Sequence, residues 1–321
     1  MSHRIDPQIA PHLSGVVALD MDDLPAARKR MREGFRLSPP PIPDGIAVED
    51  RVAVFAGRAD VPVRVYRPAG RGAPRAGVLH FHGGGFVVGT HENTADRAMR
   101  IAAELDAVVV SVAYRLAPED PYPAALDDAL TAYEALLDDP ATWGVDPARL
   151  VLHGVSAGAG LAAALALRIR DSGLPSPLFQ FLSIPMLDDR MATPSATAFV
   201  DTPNWTRSLS ERAWRAYLGP LFGAEVPAYA APSRATDLSG LPPAYIGVAE
   251  FDPLRDEGID YAHRLREAGV AAELHLFPGT FHGSIRFRDA AVSRREADEE
   301  IEVLRAALRT HGQHAKEKSS A

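Results

Sequence analysis

Three short stretches carry residues able to perform nucleophilic chemistry. In Leu150-Val151-Leu152-His153-Gly154-Val155-Ser156-Ala157-Gly158 an apolar, β-prone run ends in Gly-x-Ser-x-Gly, and an alanine-rich helical pattern follows at once. That strand–turn–helix context lifts a serine hydroxyl to the end of a strand. The turn is so tight that the residues two before and two after the serine must lack bulk, and Gly154 and Gly158 do. A serine hydroxyl is a weak nucleophile until a base takes its proton. Among the 11 histidines, His282 is the candidate base, because Phe277-Pro278-Gly279-Thr280-Phe281-His282-Gly283 follows the last β-like run.

An acid that orients the base belongs between the two, in the order Ser…Asp/Glu…His. Asp252 follows a β-like run and precedes Pro253 and a helical pattern. It also reads as a helix N-cap with proline at the first helical position. Asp256 lies about a turn into the helix and Glu250 close to the strand, so neither projects as naturally from the loop. Asp188 and Asp189, after an earlier strand, are weaker rivals.

Acyl transfer places negative charge on a former carbonyl oxygen, which preorganised N–H groups can stabilise. His82-Gly83-Gly84-Gly85-Phe86 offers backbone amides with no side chains in the way, and the Ala157 N–H lies just past the serine. A triple glycine alone reads as a flexible turn. Its place after a buried strand and upstream of the serine turn makes the amides of the Gly83-Gly84-Gly85 run, together with that of Ala157, the candidate oxyanion donors. Phe86, Val87, Leu187 and Trp205 are candidate substrate contacts, each with plain core packing as the competing reading.

The elements that must position these residues alternate. An amphipathic helix over Asp22–Leu37, with Leu24, Met31, Phe35 and Leu37 as its stripe, ends at Pro39-Pro40-Pro41. Val52–Phe55 and Val61–Tyr66 read as an antiparallel pair. Strands follow at Gly77–His82, Ala107–Tyr114, Leu150–Val155, Phe179–Ile184, Tyr245–Val248 and Ala272–Phe277. Helices are expected at Glu92–Leu105, Pro121–Leu137, Gly160–Arg170, Arg255–Ala268 and Ala290–Arg309. Such alternation means an α/β protein with a mostly parallel sheet and helices on both faces. Asp188 to about Leu241 interrupts it with a short helical piece at Leu209–Leu218. This insertion and the N-terminal segment are expected to cover the carboxyl edge of the sheet, where ligands bind in such folds.

The 321 residues suit one large domain. A net charge of −8, with no compensating basic stripe, argues against nucleic acid or an anionic membrane as partner. The absence of cysteine removes thiolate metal sites and cysteine nucleophiles. The start lacks an apolar signal-peptide core and no run is long enough to span a bilayer, so a cytoplasmic protein is expected. Gly158-Ala159-Gly160-Leu161-Ala162-Ala163 matches a dinucleotide fingerprint, but the strand ends too early and no acid stands near Phe179–Leu182 to grip a ribose. His80 and His82, two apart on one strand face, are expected to be structural and not a metal pair. No metal and no cofactor is implied.

Taken together, His82–Phe86, Gly154–Gly158, Asp252-Pro253-Leu254-Arg255-Asp256 and Phe281-His282-Gly283 resemble the hormone-sensitive-lipase-like esterases of the α/β-hydrolase superfamily. Tyr114-Arg115-Leu116-Ala117-Pro118-Glu119, followed by Tyr122-Pro123-Ala124-Ala125, adds to the resemblance, which runs from about residue 50 to 285. It implies an α/β-hydrolase fold of about eight strands with a helical cap, and a cofactor-free serine carboxylesterase acting on short to medium acyl esters. Ser156 would be the nucleophile, His282 the base, Asp252 the acid, and Gly83, Gly84 and Ala157 the oxyanion hole. It further implies cap helices in 1–45, a catalytic domain of 46–187 and 242–310, a cap insertion at 188–241, and a polar tail at 311–321. A homodimer through the last strand and adjacent helix is a family habit. Val155 departs from the acidic, threonine or small residue usual before the serine, which predicts altered loop packing. An acyltransferase, a lactone or amide hydrolase on the same triad, and a non-catalytic small-ligand receptor are the alternative readings; retention of His282 speaks against the last.

Overall fold

The computed structural model describes residues 3–17, 19–70 and 72–319, with side-chain surroundings defined through residue 309. Eight strands form one sheet: β1 (Ile46–Ala53), β2 (Val61–Pro68), β3 (Arg75–Phe81), β4 (Val108–Val112), β5 (Val145–Val155), β6 (Phe179–Ser183), β7 (Ala244–Phe251) and β8 (Ala272–Phe281). Their spatial order is β1-β2-β4-β3-β5-β6-β7-β8. β1–β2 and β2–β4 are antiparallel, and every later pair is parallel.

The helices are α1 (Leu24–Leu37), α2 (Ala95–Leu105), α3 (Ala124–Asp138), the single turn α4 (Pro140–Trp143), α5 (Ala157–Asp171), the short α6 (Pro194–Ala198), α7 (Arg207–Leu218), α8 (Arg255–Glu267) and α9 (Ala291–Ser319). The closing helix thus runs past the expected boundary at Arg309, and its last turns occupy the segment read from sequence as a polar tail. Among the described residues, no helix is long and apolar enough to cross a membrane.

The continuous apolar runs of the central strands follow from burial on both faces. Successive side chains point to opposite sides. Leu79, Val110, Leu152, Leu182 and Ile246 face the core shared with α3, α5 and α8. Val78, Val109, Val151, Phe181 and Tyr245 face the core shared with α2 and α9. On α1, Ala27 is the fully buried position, and Leu24 and Met31 pack partly against the core. Leu37, expected in the stripe, is 84% exposed. It is the helix's last residue, beyond the turn that reaches the core.

The two segments outside the alternation both reach the carboxyl end of the sheet. In the insertion, Tyr217 of α7 stacks on Phe86 just after the glycines, with ring centroids 3.9 Å apart. From α1, the Arg28 guanidinium donates to the carbonyls of Val87 and Ala117 and pairs with Glu119. Ile9 is buried with Phe277 and Phe281 at the end of β8.

Candidate active site

Strand register brings the distant stretches together. Phe81 pairs with Gly154 across β3 and β5, so His82 and Gly83 leave the sheet beside Val155 and Ser156. Phe251 pairs with Phe281 across β7 and β8, so Asp252 and His282 leave it side by side. All four exits are at the carboxyl ends of parallel strands.

Ser156 has φ 57° and ψ −121°, a backbone that side chains rarely adopt. The fold holds it there from several directions. Its N–H donates to Ser183 O at 2.8 Å, and its carbonyl accepts from the amides of Ala159, Gly160 and Met186. A Cβ on Gly154 would stand 2.2 Å from the Gly158 carbonyl oxygen, and one on Gly158 would stand 2.2 Å from that of Phe81. Gly160, the second glycine of the dinucleotide-like pattern, is a packing glycine: a Cβ there would stand 2.1 Å from Met186 O.

The Ser156 hydroxyl lies 2.9 Å from His282 Nε2, and His282 Nδ1 lies 2.7 Å from Asp252 Oδ2. The carboxylate can only accept, so the partners assign the proton to Nδ1 and leave Nε2 to accept the serine proton. Asp252 is buried, and its Oδ1 accepts the Leu254 N–H at 2.9 Å. It therefore braces the turn into α8 as well as meeting the imidazole. The N-cap position itself belongs to Leu254, so the capping expected of Asp252 falls two residues short of it and closes the turn before the helix instead.

Each rival acid has another partner. Glu250 is on β7 and its Oε2 accepts the Gly279 N–H, while Asp256 Oδ2 accepts the Ser195 N–H. Asp188 pairs with Arg190 and Asp189 with Arg234. Glu257, which the sequence did not single out, is fully buried in α8, and its Oε1 accepts the amides of Leu187 and Asp188. Burial, ahead of the nearby Asp188 and Asp252, pushes its carboxyl well above the ordinary carboxylate range. A sequence signal for it exists only in its adjacency to Asp256.

On the other side of Ser156, a Cβ on Gly83 would come within 3.3 Å of the serine Cβ. Among the described residues, the amide N–H groups of Gly83, Gly84, Gly85 and Ala157 donate to no protein acceptor. Gly83 and Gly84 are half-exposed, and Gly84 (φ 127°) admits no side chain because Val88 O would stand 2.1 Å from its Cβ. Ala157 is the first residue of α5, so its N–H also sits at a positive helix end.

Two side chains orient this loop. The Tyr114 hydroxyl donates to His82 O at 2.8 Å, fixing the peptide unit that carries the Gly83 N–H. The His82 ring, at 2.8 Å from Gly83 O, fixes the unit that carries the Gly84 N–H. In a trans peptide, N–H and C=O point oppositely, so gripping each carbonyl aims the amide beyond it. Burial pulls His82 down to about 4, which keeps the ring neutral. His82 has left β3 and shares no partner with His80, which meets His153 Nδ1 at 2.8 Å and Thr94 Oγ1 at 2.6 Å in the core behind the sheet.

The candidate substrate contacts have separate places. Phe86 is buried against Tyr217 and Trp214. Val87 and Leu187 are fully buried, their backbones tied to Arg28 and Glu257. Trp205 alone meets the triad-like group: its ring lies 5.6 Å from the His282 imidazole, and its Nε1 donates to Ser210 Oγ. Its Cη2 would stand 2.6 Å from a Cβ on Gly85. Val155 is half-exposed, and its carbonyl closes on Gly83.

A family model described as alpha/beta hydrolase fold matches residues 78–286. Carboxylesterase NlhH of Mycobacterium tuberculosis (strain ATCC 25618 / H37Rv) is 39% identical over 282 residues, covering 86% of this chain and 86% of that protein. Esterase LipI of the same strain is 38% identical over 300 residues, covering 91% of this chain and 92% of that one. Among solved structures, one named "Bacterial Heroin Esterase" superposes with a TM-score of 0.91 at 43% identity, covering 95% of this chain and 98% of that one.

Proposed function

The chain belongs to the hormone-sensitive-lipase-like esterases of the α/β-hydrolase fold and is a serine carboxylesterase; from that premise we propose that Ser156 is its nucleophile, His282 its base and Asp252 the acid that orients the base. The single observation that carries the assignment is the continuous hydrogen-bond path from Ser156 Oγ through His282 to Asp252, with links of 2.9 and 2.7 Å.

Ser156 Oγ attacks the ester carbonyl carbon as His282 Nε2 takes the hydroxyl proton. The carbonyl oxygen becomes an oxyanion and accepts from the amides of Gly83, Gly84 and Ala157. The tetrahedral intermediate collapses, the bond to the leaving oxygen breaks, and His282 returns its proton to the departing alcohol. Water then attacks the acyl-enzyme with His282 again as base, releasing the acid and restoring the Ser156 hydroxyl. Throughout, Asp252 holds the imidazole by Nδ1–H and balances the charge of the transient imidazolium.

His282 must reach the leaving oxygen, and Trp205 packs on that ring. Trp205 therefore borders the alcohol portion of the ester and limits its bulk. β8, the last strand of the sheet, presents exposed Leu274 and Leu276 and is the edge through which a second copy would pair.

A Ser156→Ala variant tests the assignment. It should fold as the parent does, lose turnover of p-nitrophenyl butyrate, and take up no organophosphonate. Stoichiometric labelling of that variant, or substantial remaining turnover, would move the nucleophile elsewhere.

A further inference from the structure

The acid and the base stand on different loops, one after β7 and one after β8, and the insertion grips the backbone behind each. Ser195, the second residue of α6, is fully buried against the turn that begins at Asp252. Its N–H donates to Asp256 Oδ2 at 2.7 Å, and its hydroxyl donates to Pro253 O at 3.0 Å. The same oxygen accepts the Asp256 N–H at 3.0 Å. Three bonds thus hold residues 253–256 to one serine. Nine residues on, the Asn204 amide donates to the backbone carbonyl of His282 at 2.9 Å. Asn204 adopts a left-handed backbone, φ 68°, which suits asparagine better than most residues. The loop around it is closed by Thr202 Oγ1 donating to Trp205 O at 2.6 Å.

We infer that Ser195 and Asn204 are positioning residues for catalysis, through which the insertion sets the relative placement of Asp252 and His282. The inference rests on the triad roles proposed above. These bonds of Ser195 and Asn204 run to main chain and to Asp256, not to a triad side chain. Ser195 holds the turn that directly follows Asp252, Asn204 holds the carbonyl of His282 itself, and both come from one inserted segment. A misplacement of about 1 Å at a reacting group costs on the order of 100-fold in rate. Loss of one of two anchors should therefore slow the chemistry without altering substrate capture. The arrangement also divides the labour in Asp252-Pro253-Leu254-Arg255-Asp256: the first acid faces the base, and the second fastens the insertion.

The test uses Ser195→Ala, Ser195→Thr and Asn204→Gly in the full chain. Active sites are counted by stoichiometric organophosphonate incorporation, and kcat per labelled site and KM are measured with p-nitrophenyl butyrate. Ser195→Ala and Asn204→Gly should each lower kcat per site by about tenfold, with KM changed by less than about twofold. The double variant should lose more than either single variant, up to about 100-fold, since the two side chains hold separate segments. Ser195→Thr keeps the hydroxyl and should recover most of the rate. A purely structural role would reduce the yield of labelled sites and the melting temperature, yet leave kcat per site at the parent value; that result overturns the inference. Asn204→Gly removes no core packing and accepts the left-handed backbone, so it still discriminates between the two roles if Ser195→Ala folds poorly. Ser156→Ala in parallel separates the two readings. Turnover surviving there undoes the triad assignment. A dead Ser156→Ala beside unimpaired Ser195→Ala and Asn204→Gly undoes only the positioning.

Discussion

Phe251 and Phe281 are partners across the last two parallel strands, so the residues that follow them, Asp252 and His282, leave the sheet together and meet at 2.7 Å. The pairing of two apolar residues thus brings together an acid and a base 30 positions apart, and it does so for no other carboxylate nearby.

Asp252→Asn should therefore lower kcat by roughly 10³–10⁴-fold, because an amide can donate a proton toward the imidazole and favour the wrong tautomer. Asp256→Asn keeps an oxygen able to accept from Ser195 and should cost far less, about tenfold or under. Steady-state kinetics of the two variants check the order, and a reversal would assign the acid to Asp256.

Gly154→Ala should destabilise the fold itself. The new methyl would stand 2.2 Å from the Gly158 carbonyl oxygen and 2.5 Å from the Ala159 nitrogen, and both are backbone atoms at the start of α5. Backbone cannot give way as a flexible side chain does, so a loss of about 3 kcal/mol or more is expected. Urea denaturation followed by circular dichroism measures it. The comparison is Gly223→Ala, where nothing lies near the new methyl and only its backbone preference is disturbed.

Acid should weaken the protein through its buried histidines. Burial pulls His82 from an ordinary value of 6.5 to about 4, so between those values the unfolded chain binds a proton that the folded chain does not. The contribution is fully present above 6.5, and stability is lost as pH falls toward 4, by up to about 3 kcal/mol. His80 and His153, lowered chiefly by burial, act in the same direction. In His82→Asn the amide can still donate to Gly83 O but does not titrate. Its urea midpoint should fall less steeply between pH 6.5 and 4 than the parent's; parallel curves would remove His82 from the account.

Trp205→Leu should widen acceptance of bulky alcohols. With the acyl group held constant, kcat/KM for aryl esters should rise relative to ethyl esters by several-fold. Leucine retains part of the buried apolar surface, but the shape change in a packed site should cost about 1–3 kcal/mol of stability. An unchanged ratio would place Trp205 away from the leaving group.

Much of this protein was decided locally and is legible in the chain. Gly154, Ser156 and Gly158 announce the turn, because a serine in that backbone tolerates no bulk two residues away, whatever the rest of the fold does. The unbroken apolar runs of β3 to β5 announce a sheet covered on both faces, and the alternation of elements announces its mostly parallel order. Chain order singled out Asp252 and His282, but the choice of Asp252 over Glu250 and Asp256 depends on where three carboxylates point. That is set by the register of β7 on β8 and by partners as remote as Ser195 and Gly279. Likewise, nothing in their neighbours marks Ser195 or Asn204 as fastenings, and neither the motif that holds Tyr114 nor the adjacency of Glu257 to Asp256 tells what those side chains grip. Each works through a single hydrogen bond or a few, made to backbone or side chains that only the folded chain brings within about 3 Å, and residue type and spacing carry no record of such a meeting.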